Sequence, residues 1–139
     1  MALKKALLHQ PLLVKPNHHE LAELFGVTIH SKDEIIAYGR KLLEAGAKHV
    51  LVSMAGEGAL FISENEVYQA NAPEGIVKNS VGAGDSMIAG FVGTLSLTGD
   101  LLEAFRVGVA SGSATAFSDD LADREHIEQL RLLIRISQL

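Results

Sequence analysis

The residues best suited to chemistry lie in the segment Gly82-Ala83-Gly84-Asp85. Two glycines within three residues leave the backbone free to adopt conformations that a Cβ would forbid. The next residues are mostly apolar or small, and they predict a buried helix from Ser86 to Leu97. A glycine turn that leads into a helix leaves amide N–H groups without backbone acceptors, at the positive end of the helix dipole. We therefore expect an anion site here, and phosphate is a typical ligand of such sites.

Asp85 lies at the mouth of this expected anion site. A carboxylate at that position could take the proton from a hydroxyl group that is about to be phosphorylated. The structural alternative is that Asp85 caps the N-terminus of the helix and that no ligand binds. The four residues alone leave both interpretations open, because short glycine motifs also occur in unrelated proteins.

The longer segment Asn79–Val92 resembles the C-terminal signature of the PfkB, or ribokinase-like, family of sugar kinases. The matching positions are Asn79, Ser80, Gly82, Ala83, Gly84, Asp85, Ala89 and Gly90. By position, the resemblance implies that Gly82, Ala83 and Gly84 form the anion hole and that Asp85 is the catalytic base. The stretches KPNHHELAEL, VSMAGEGAL and VASGSATAFS extend it over nearly the whole chain. They are most similar to the 1-phosphofructokinase branch of the family, with the tagatose-6-phosphate kinases as a related branch.

The order of predicted elements is typical of an α/β domain, because helices alternate with short apolar strands before a hairpin within residues 58–70. The resemblance implies the C-terminal part of a ribokinase-like three-layer α/β/α fold. Its sheet would be mostly parallel, with an antiparallel hairpin at one edge. We expect residues 1–139 to form a single domain, the nucleotide-binding and catalytic-base half of a kinase whose N-terminal half and lid are absent.

A second glycine-containing segment follows the apolar strand predicted at residues 49–53. By itself it predicts a tight β-turn in which glycines supply positive φ angles. It also follows the carboxyl end of a predicted parallel strand, where open α/β sheets bind ligands. The resemblance implies that this nucleotide loop lines the ribose and phosphates of ATP. Its residues are Ser53, Met54, Ala55, Gly56, Glu57 and Gly58.

The spacing Asn17-x-x-Glu20 also has two interpretations. It predicts a capping box, in which Asn17 caps a helix and Glu20 binds back to the first backbone N–H. The resemblance implies instead that Glu20, with Asn17, helps to hold Mg²⁺ through water, as this ion prefers. His18 and His19 lie about 100° apart on a helix, which makes them a poor metal pair. We expect both imidazoles to face solvent.

A run of small side chains within residues 109–116 allows two further interpretations. Small residues let two helices approach closely. The resemblance implies that this segment lines the adenine pocket, with Ser111 and Gly112 nearest the base. It also adds Gly84 and Asp85 to the residues that contact the nucleotide.

Composition excludes several other classes of protein. The net charge is -5, and no local cluster of Lys and Arg offsets it, so a nucleic-acid surface is not expected. No apolar run approaches the roughly 20 residues of a membrane span. The sequence contains no cysteine, which excludes a disulfide framework and fits a cytoplasmic protein. The Walker A pattern and the G-x-G-x-x-G fingerprint are both missing, so neither a P-loop NTPase nor a Rossmann dehydrogenase is expected.

The resemblance implies phosphoryl transfer from ATP, with Mg²⁺, to the C6 hydroxyl of a ketohexose phosphate by the complete enzyme. The favoured acceptor is fructose 1-phosphate, which would yield fructose 1,6-bisphosphate, and tagatose 6-phosphate is the alternative. A hypothesis of a different class is a nucleotide-binding or structural fragment without activity. We expect no sugar-kinase turnover from these residues alone. Unpaired strand edges invite association, so three alternatives stay open for the truncated sheet edge: a truncated domain, self-association as a homodimer, and a second chain that supplies the remainder.

Overall fold

The computed structural model describes residues 12–54, 57–73, 75, 78, 81–117 and 124–139. Its contacts divide the chain into two compact units. The first comprises the described residues up to Gln69 together with Ser137–Leu139, and the second comprises those from Ala70 to Ile136. The elements are α1 (His18–Phe25), α2 (Lys32–Glu44), β1 (Val50–Ser53), β2 (Ala59–Ile62), β3 (Val67–Ala70), α3 (Val81–Thr98), α4 (Leu101–Ala116), α5 (Arg124–Arg131) and β4 (Ile136–Gln138).

The four strands form one sheet in the order β1-β2-β3-β4. β1 and β2 are antiparallel, with Val50 opposite Ile62 and Ser53 opposite Ala59. A hairpin joins β2 to β3, and in its turn the Ser63 N–H donates to the Glu66 carbonyl at 2.9 Å. Parallel pairing in the described residues occurs at two bridges to β1, from Val14 to Val50 and from Asn17 to Ser53. The predicted α/β class and the antiparallel hairpin are confirmed.

Local signals in the sequence set the ends of α1 and α2. Asn17 and Ser31 cap the two N-termini, since each side chain accepts the backbone N–H of the residue three positions later. Gly26 ends α1 at φ 64°, a left-handed conformation that glycine adopts without the steric cost of a Cβ. These caps satisfy backbone groups that have no partner inside a helix.

The core of the first unit lies between the two helices and the sheet. Gly39 is buried in α2, and a Cβ at this position would overlap Cδ1 of Ile62 on β2. The helix therefore approaches the sheet as closely as it does because this residue has no side chain. The buried apolar residues of this core are Val14, Leu21, Leu24, Ile35, Leu42, Ala47, Val50, Val52, Met54, Leu60, Ile62 and Val67.

The second unit is organised by close packing between α3 and α4. The face of α4 toward α3 is made of small residues, and a Cβ built on Gly108 would lie 3.0 Å from the Met87 carbonyl oxygen. A Cβ on Gly90 of α3 would lie 2.5 Å from Oγ of Ser111. Glycine weakens a helix by about 1 kcal/mol relative to alanine. Here the cost is offset by contacts that a larger residue would prevent.

We expect Gly39→Ala to lower the free energy of unfolding by about 1 kcal/mol. Alanine favours the helix by about 1 kcal/mol, but overpacking against Ile62 costs about 1–3 kcal/mol. Urea denaturation of the purified variant measures the difference.

Gly93→Ala is the matched control, since Gly93 also lies in a helix but nothing lies within 4 Å of its built Cβ. It should raise stability by about 0.5–1 kcal/mol. Ile62→Val removes the overlapping Cδ1, so adding Gly39→Ala to that variant should cause no further loss. If Gly39→Ala stabilises the wild-type chain as much as Gly93→Ala does, α2 does not pack as closely on the sheet as the contact between Gly39 and Ile62 indicates.

Candidate functional site

In the first unit, the predicted metal residues and the nucleotide loop lie together. Asn17 forms a parallel bridge with Ser53, and the Ser53 N–H donates to the Pro16 carbonyl at 3.2 Å. Two parallel segments therefore end side by side, where open α/β sheets bind their ligands. Helix α1 begins directly after the first segment, and the nucleotide loop follows the second.

The predicted capping box at the start of α1 is confirmed. The Glu20 N–H donates to Oδ1 of Asn17 at 2.7 Å, and the Asn17 N–H donates to Oε1 of Glu20 at 3.0 Å. Glu20 is exposed, and this bond uses one of its two carboxylate oxygens. The second oxygen remains suited to a metal-bound water, so capping and the predicted Mg²⁺ role are compatible. That role stays a prediction.

The predicted tight turn in the nucleotide loop is also confirmed. The Met54 N–H donates to the Gly58 carbonyl at 2.8 Å, and the Glu57 N–H donates to the Met54 carbonyl at 3.0 Å. Gly58 has a φ of 96°, which explains the need for glycine. Met54 and Gly58 are buried, Ser53 is half-buried and Glu57 is exposed. Ala55 and Gly56 lie outside the described residues.

A cleft of about 480 Å³ opens beside this loop, a volume within the usual range for small-molecule sites. His18 lines it together with Met54 and Glu57. The expectation that His18 faces solvent is wrong, because the ring is half-buried and its Nδ1 lies 3.5 Å from the Ser53 carbonyl oxygen. The sequence signal for this burial is the position of His18 directly after the N-cap, because the start of α1 lies beside the end of β1. The other lining residues are Ile29, His30, Ser31, Lys32, Ile35 and Gln69.

In the second unit, the Gly-Ala-Gly-Asp segment lies within α3. The helix begins at Val81, so Gly82, Ala83 and Gly84 belong to its first turn. The predicted glycine turn before the helix is therefore wrong, and Gly84 has no positive φ. Asp85 lies inside the helix, which excludes the alternative that it is the N-cap. Glycine permits helical φ as readily as turn conformations, so the sequence alone does not distinguish them.

The first turn of α3 keeps the electrostatic character expected of an anion site. Backbone N–H groups of a first turn point out of the N-terminus, at the positive end of the dipole. Asp85 is exposed and follows this turn directly. Because Cα–Cβ bonds in a helix tilt toward its N-terminus, the carboxylate extends over the preceding turn. Asn79 and Ser80, which also match the family signature, lie outside the described residues.

Ser111 and Gly112 lie in the contact between α3 and α4. Ser111 is 5% exposed, and a Cβ on Gly112 would lie 3.1 Å from the carbonyl oxygen of Ala83. One turn further along α4, the Thr115 hydroxyl donates to Oγ of Ser86 at 2.7 Å. The interpretation that these small residues let two helices approach is confirmed, and their predicted role at adenine stays a prediction. The contact with Ala83 links α4 directly to the predicted anion hole.

The described part of the chain contains neither a cluster of metal-ligating side chains nor a membrane-spanning helix. In residues 12–54, 57–73, 75, 78, 81–117 and 124–139, no three His, Cys, Asp or Glu side chains cluster in a way that could hold a metal ion. Within the same residues, no helix combines the length and apolar character needed to cross a membrane.

A family model described as "pfkB family carbohydrate kinase" matches residues 1–125. The chain belongs to this family. It is 54% identical over 138 residues to the 1-phosphofructokinase of Bacillus subtilis, covering 99% of the chain and 46% of that relative. It is 41% identical to the D-tagatose-1-phosphate kinase of Bacillus licheniformis, covering 99% and 45%.

A crystal structure from Staphylococcus aureus, described as a candidate phosphofructokinase, superimposes on the chain with a TM-score of 0.93. The two sequences are 41% identical, and the match covers 98% of this chain and 44% of that one. The chain thus spans about half the length of the relatives it matches. The resemblance to the PfkB family and the ribokinase-like fold are confirmed.

The position of Gly84 inside α3 generates a stability prediction. Gly84→Ala should leave the free energy of unfolding unchanged or raise it by up to about 1 kcal/mol, because alanine is the better helix former. Urea denaturation measures this change. A loss of more than about 1 kcal/mol would mean that Gly84 needs a conformation or a contact that α3 does not show.

Proposed function

We propose that this chain is the nucleotide-binding and catalytic-base half of an ATP-dependent kinase of ketohexose 1-phosphates. The observation that carries the proposal is the first turn of α3, which holds Gly82, Ala83 and Gly84 and is followed directly by the exposed Asp85. The identity of 54% to a protein named 1-phosphofructokinase supports fructose 1-phosphate as the acceptor. A cytoplasmic location suits both substrates and the cysteine-free sequence.

The chemistry follows from two features of α3, its first turn and Asp85. Asp85 accepts the proton of the C6 hydroxyl while that oxygen forms its bond to the γ-phosphorus of ATP. The bond from this phosphorus to the bridging oxygen breaks, and ADP leaves. Charge on the equatorial oxygens of the transferring group is stabilised by the first-turn amides of α3, which need no reorganisation when the charge develops.

Residues of the first unit match the family's nucleotide-loop and metal positions, and the proposal assigns them those roles. The nucleotide loop, Ser53–Gly58, lines the ribose and phosphates of ATP, and its turn is already fixed by the bond from Met54 to Gly58. Mg²⁺, when bound, neutralises phosphate charge. Glu20 would hold it through water with Asn17, since their capping box binds one carboxylate oxygen to the Asn17 N–H, and Asn17 pairs with Ser53.

The two named relatives share a 1-phosphate on the sugar, because one is a 1-phosphofructokinase and the other a D-tagatose-1-phosphate kinase. A ketohexose 1-phosphate keeps its C6 hydroxyl free for transfer. Tagatose 6-phosphate, the alternative acceptor expected from the sequence, already carries phosphate on that oxygen. The proposed chemistry at C6 therefore favours fructose 1-phosphate, with tagatose 1-phosphate as the nearer alternative.

A second candidate function applies to residues 1–139 by themselves. The chain covers 46% of the Bacillus subtilis relative, so it lacks more than half of that protein's length. Phosphoryl transfer requires donor and acceptor to be held in line, and this positioning accounts for roughly 7–11 kcal/mol of the barrier in well-oriented reactions. We infer that the chain alone binds nucleotide without phosphorylating sugar.

Asp85→Asn should lower turnover by roughly 10²–10⁴-fold, because an amide cannot act as the general base. The test uses a fused kinase, in which the part of the Bacillus subtilis relative that this chain does not cover is joined in frame upstream of Met1. Coupled ADP release with fructose 1-phosphate measures turnover, and calorimetry measures ADP affinity, which should change little.

Asp100→Asn is the matched control. Asp100 is another exposed carboxylate of the second unit, and its side chain accepts the Glu103 N–H as the N-cap of α4, a role that asparagine also fills. It should keep normal turnover in the fused kinase. Near-normal turnover in Asp85→Asn would remove Asp85 from the proposed mechanism.

The unfused chain should show no phosphorylation of fructose 1-phosphate with Mg²⁺ and ATP, while still binding ADP weakly. The physical reason is the missing alignment of donor and acceptor. Mass spectrometry of the sugar product and calorimetry with ADP give the two readings. Robust turnover by the purified unfused chain would contradict the half-kinase proposal and place the acceptor site within these residues.

A further inference from the structure

A pair of hydroxyl groups crosses the contact between α3 and α4. The Thr115 hydroxyl donates to Oγ of Ser86 at 2.7 Å. Thr115 is buried, and Ser86, which directly follows Asp85, is half-buried. A hydrogen bond away from water is electrostatically stronger than an exposed one. The proton transfer described above gives neither hydroxyl a role, so the pair calls for an explanation of its own.

The pair belongs to a regular antiparallel alignment of the two helices. One turn after Ser86, Gly90 of α3 lies against Ser111, which is one turn before Thr115 on α4. Contacts at residues without side chains determine how closely the helices approach. A hydrogen bond also has a preferred direction, so it determines the rotation of one helix against the other.

The rotation of α3 determines where the Asp85 carboxylate lies. The outer surface of a helix is about 5–6 Å from its axis, so a rotation of about 10° moves a group there by about 1 Å. A displacement of about 1 Å can lower turnover by roughly 10²-fold. A general base must also stay within hydrogen-bond distance of the proton that it accepts. A bond at Ser86 constrains the same turn of α3 that carries Asp85.

We propose that Thr115 is a positioning residue for Asp85. Through its bond to Ser86, it holds α3 at the rotation that directs the carboxylate toward the acceptor hydroxyl. The proposal rests on the proposed function. It is supported by the burial of Thr115, because a packed side chain keeps its rotamer and can hold its partner in place. Thr115 acts through Ser86 and takes no part in the proton transfer itself.

Thr115→Val in the fused kinase removes the hydroxyl and keeps the shape of the side chain. We expect kcat to fall about tenfold, because the carboxylate is no longer held in the productive position. KM for ATP and for fructose 1-phosphate should change less than about twofold, since ground-state binding does not use this contact. Thr115→Ser keeps the hydroxyl and should retain kcat within about twofold of the wild-type value. Ser86→Ala removes the acceptor and should reproduce the loss, which provides a second variant if Thr115→Val does not fold.

Ala104→Gly is the matched control for stability. Ala104 is also buried in α4, 11 positions before Thr115 and therefore about 16 Å away along the helix. Glycine in place of alanine weakens a helix about as much as the loss of one hydrogen bond weakens a fold. Urea denaturation measures both losses, and kcat of Ala104→Gly should stay within about twofold of the wild-type value. An equal fall in kcat in Ala104→Gly and Thr115→Val would overturn the proposal.

Combination with Asp85→Asn distinguishes positioning of the base from any other effect of Thr115. If Thr115 acts through the Asp85 carboxylate, adding Thr115→Val to Asp85→Asn should lower kcat by less than about twofold. A further tenfold loss in that background would overturn the proposal. Unchanged kcat in both Thr115→Val and Ser86→Ala would also overturn it, and would leave the proposed function intact. Near-normal turnover in Asp85→Asn would instead refute the proposed function, and the role of Thr115 with it.

Discussion

The second unit depends on one constraint, the close approach of α3 and α4 through residues without side chains. Gly108 and Gly112 on α4 face backbone carbonyl oxygens of α3, and a Cβ on either would lie only 3.0 or 3.1 Å from them. This contact places the first turn of α3 against a rigid neighbour. A site built on packed helices is held more firmly than one built on a loop.

The glycines of this contact are unfavourable for helix formation taken singly, at about 1 kcal/mol each relative to alanine. Packing compensates for that cost, and the bond from the Thr115 hydroxyl to Ser86 adds a polar link immediately beside Asp85. The same arrangement leaves Ile88 and Val92 of α3 each 37% exposed.

Features that depend on neighbouring residues could be predicted from the sequence. The capping box of Asn17 and Glu20 needs only residues three positions apart, and the hairpin of β2 and β3 needs two apolar runs around a polar turn. The start of α3 could not be predicted in this way. Glycine accepts both turn and helical conformations, and the contacts of the first turns of α3 with α4 come from residues 29 positions away.

The predicted site residues divide in the same way, according to whether the prediction depends on neighbouring or on distant residues. Asp85 and its glycines were recognisable from the family signature, although their place inside a helix was not. Small residues such as those of α4 are expected both at a close helix contact and in a nucleotide pocket. Only the structure shows that Gly112 lies against Ala83. His18 was misplaced because its burial depends on Ser53, 35 positions away in the sequence.

The proposed function requires the first turn of α3 to hold the transferring phosphoryl group beside Asp85. A crystal structure of the fused kinase with ADP, aluminium fluoride, Mg²⁺ and fructose 1-phosphate tests it most directly. We expect the fluoroaluminate at the first-turn amides, with an Asp85 oxygen about 2.6–3.2 Å from the C6 hydroxyl. A fluoroaluminate bound away from α3, or an acceptor hydroxyl approached by a different carboxylate, would contradict it.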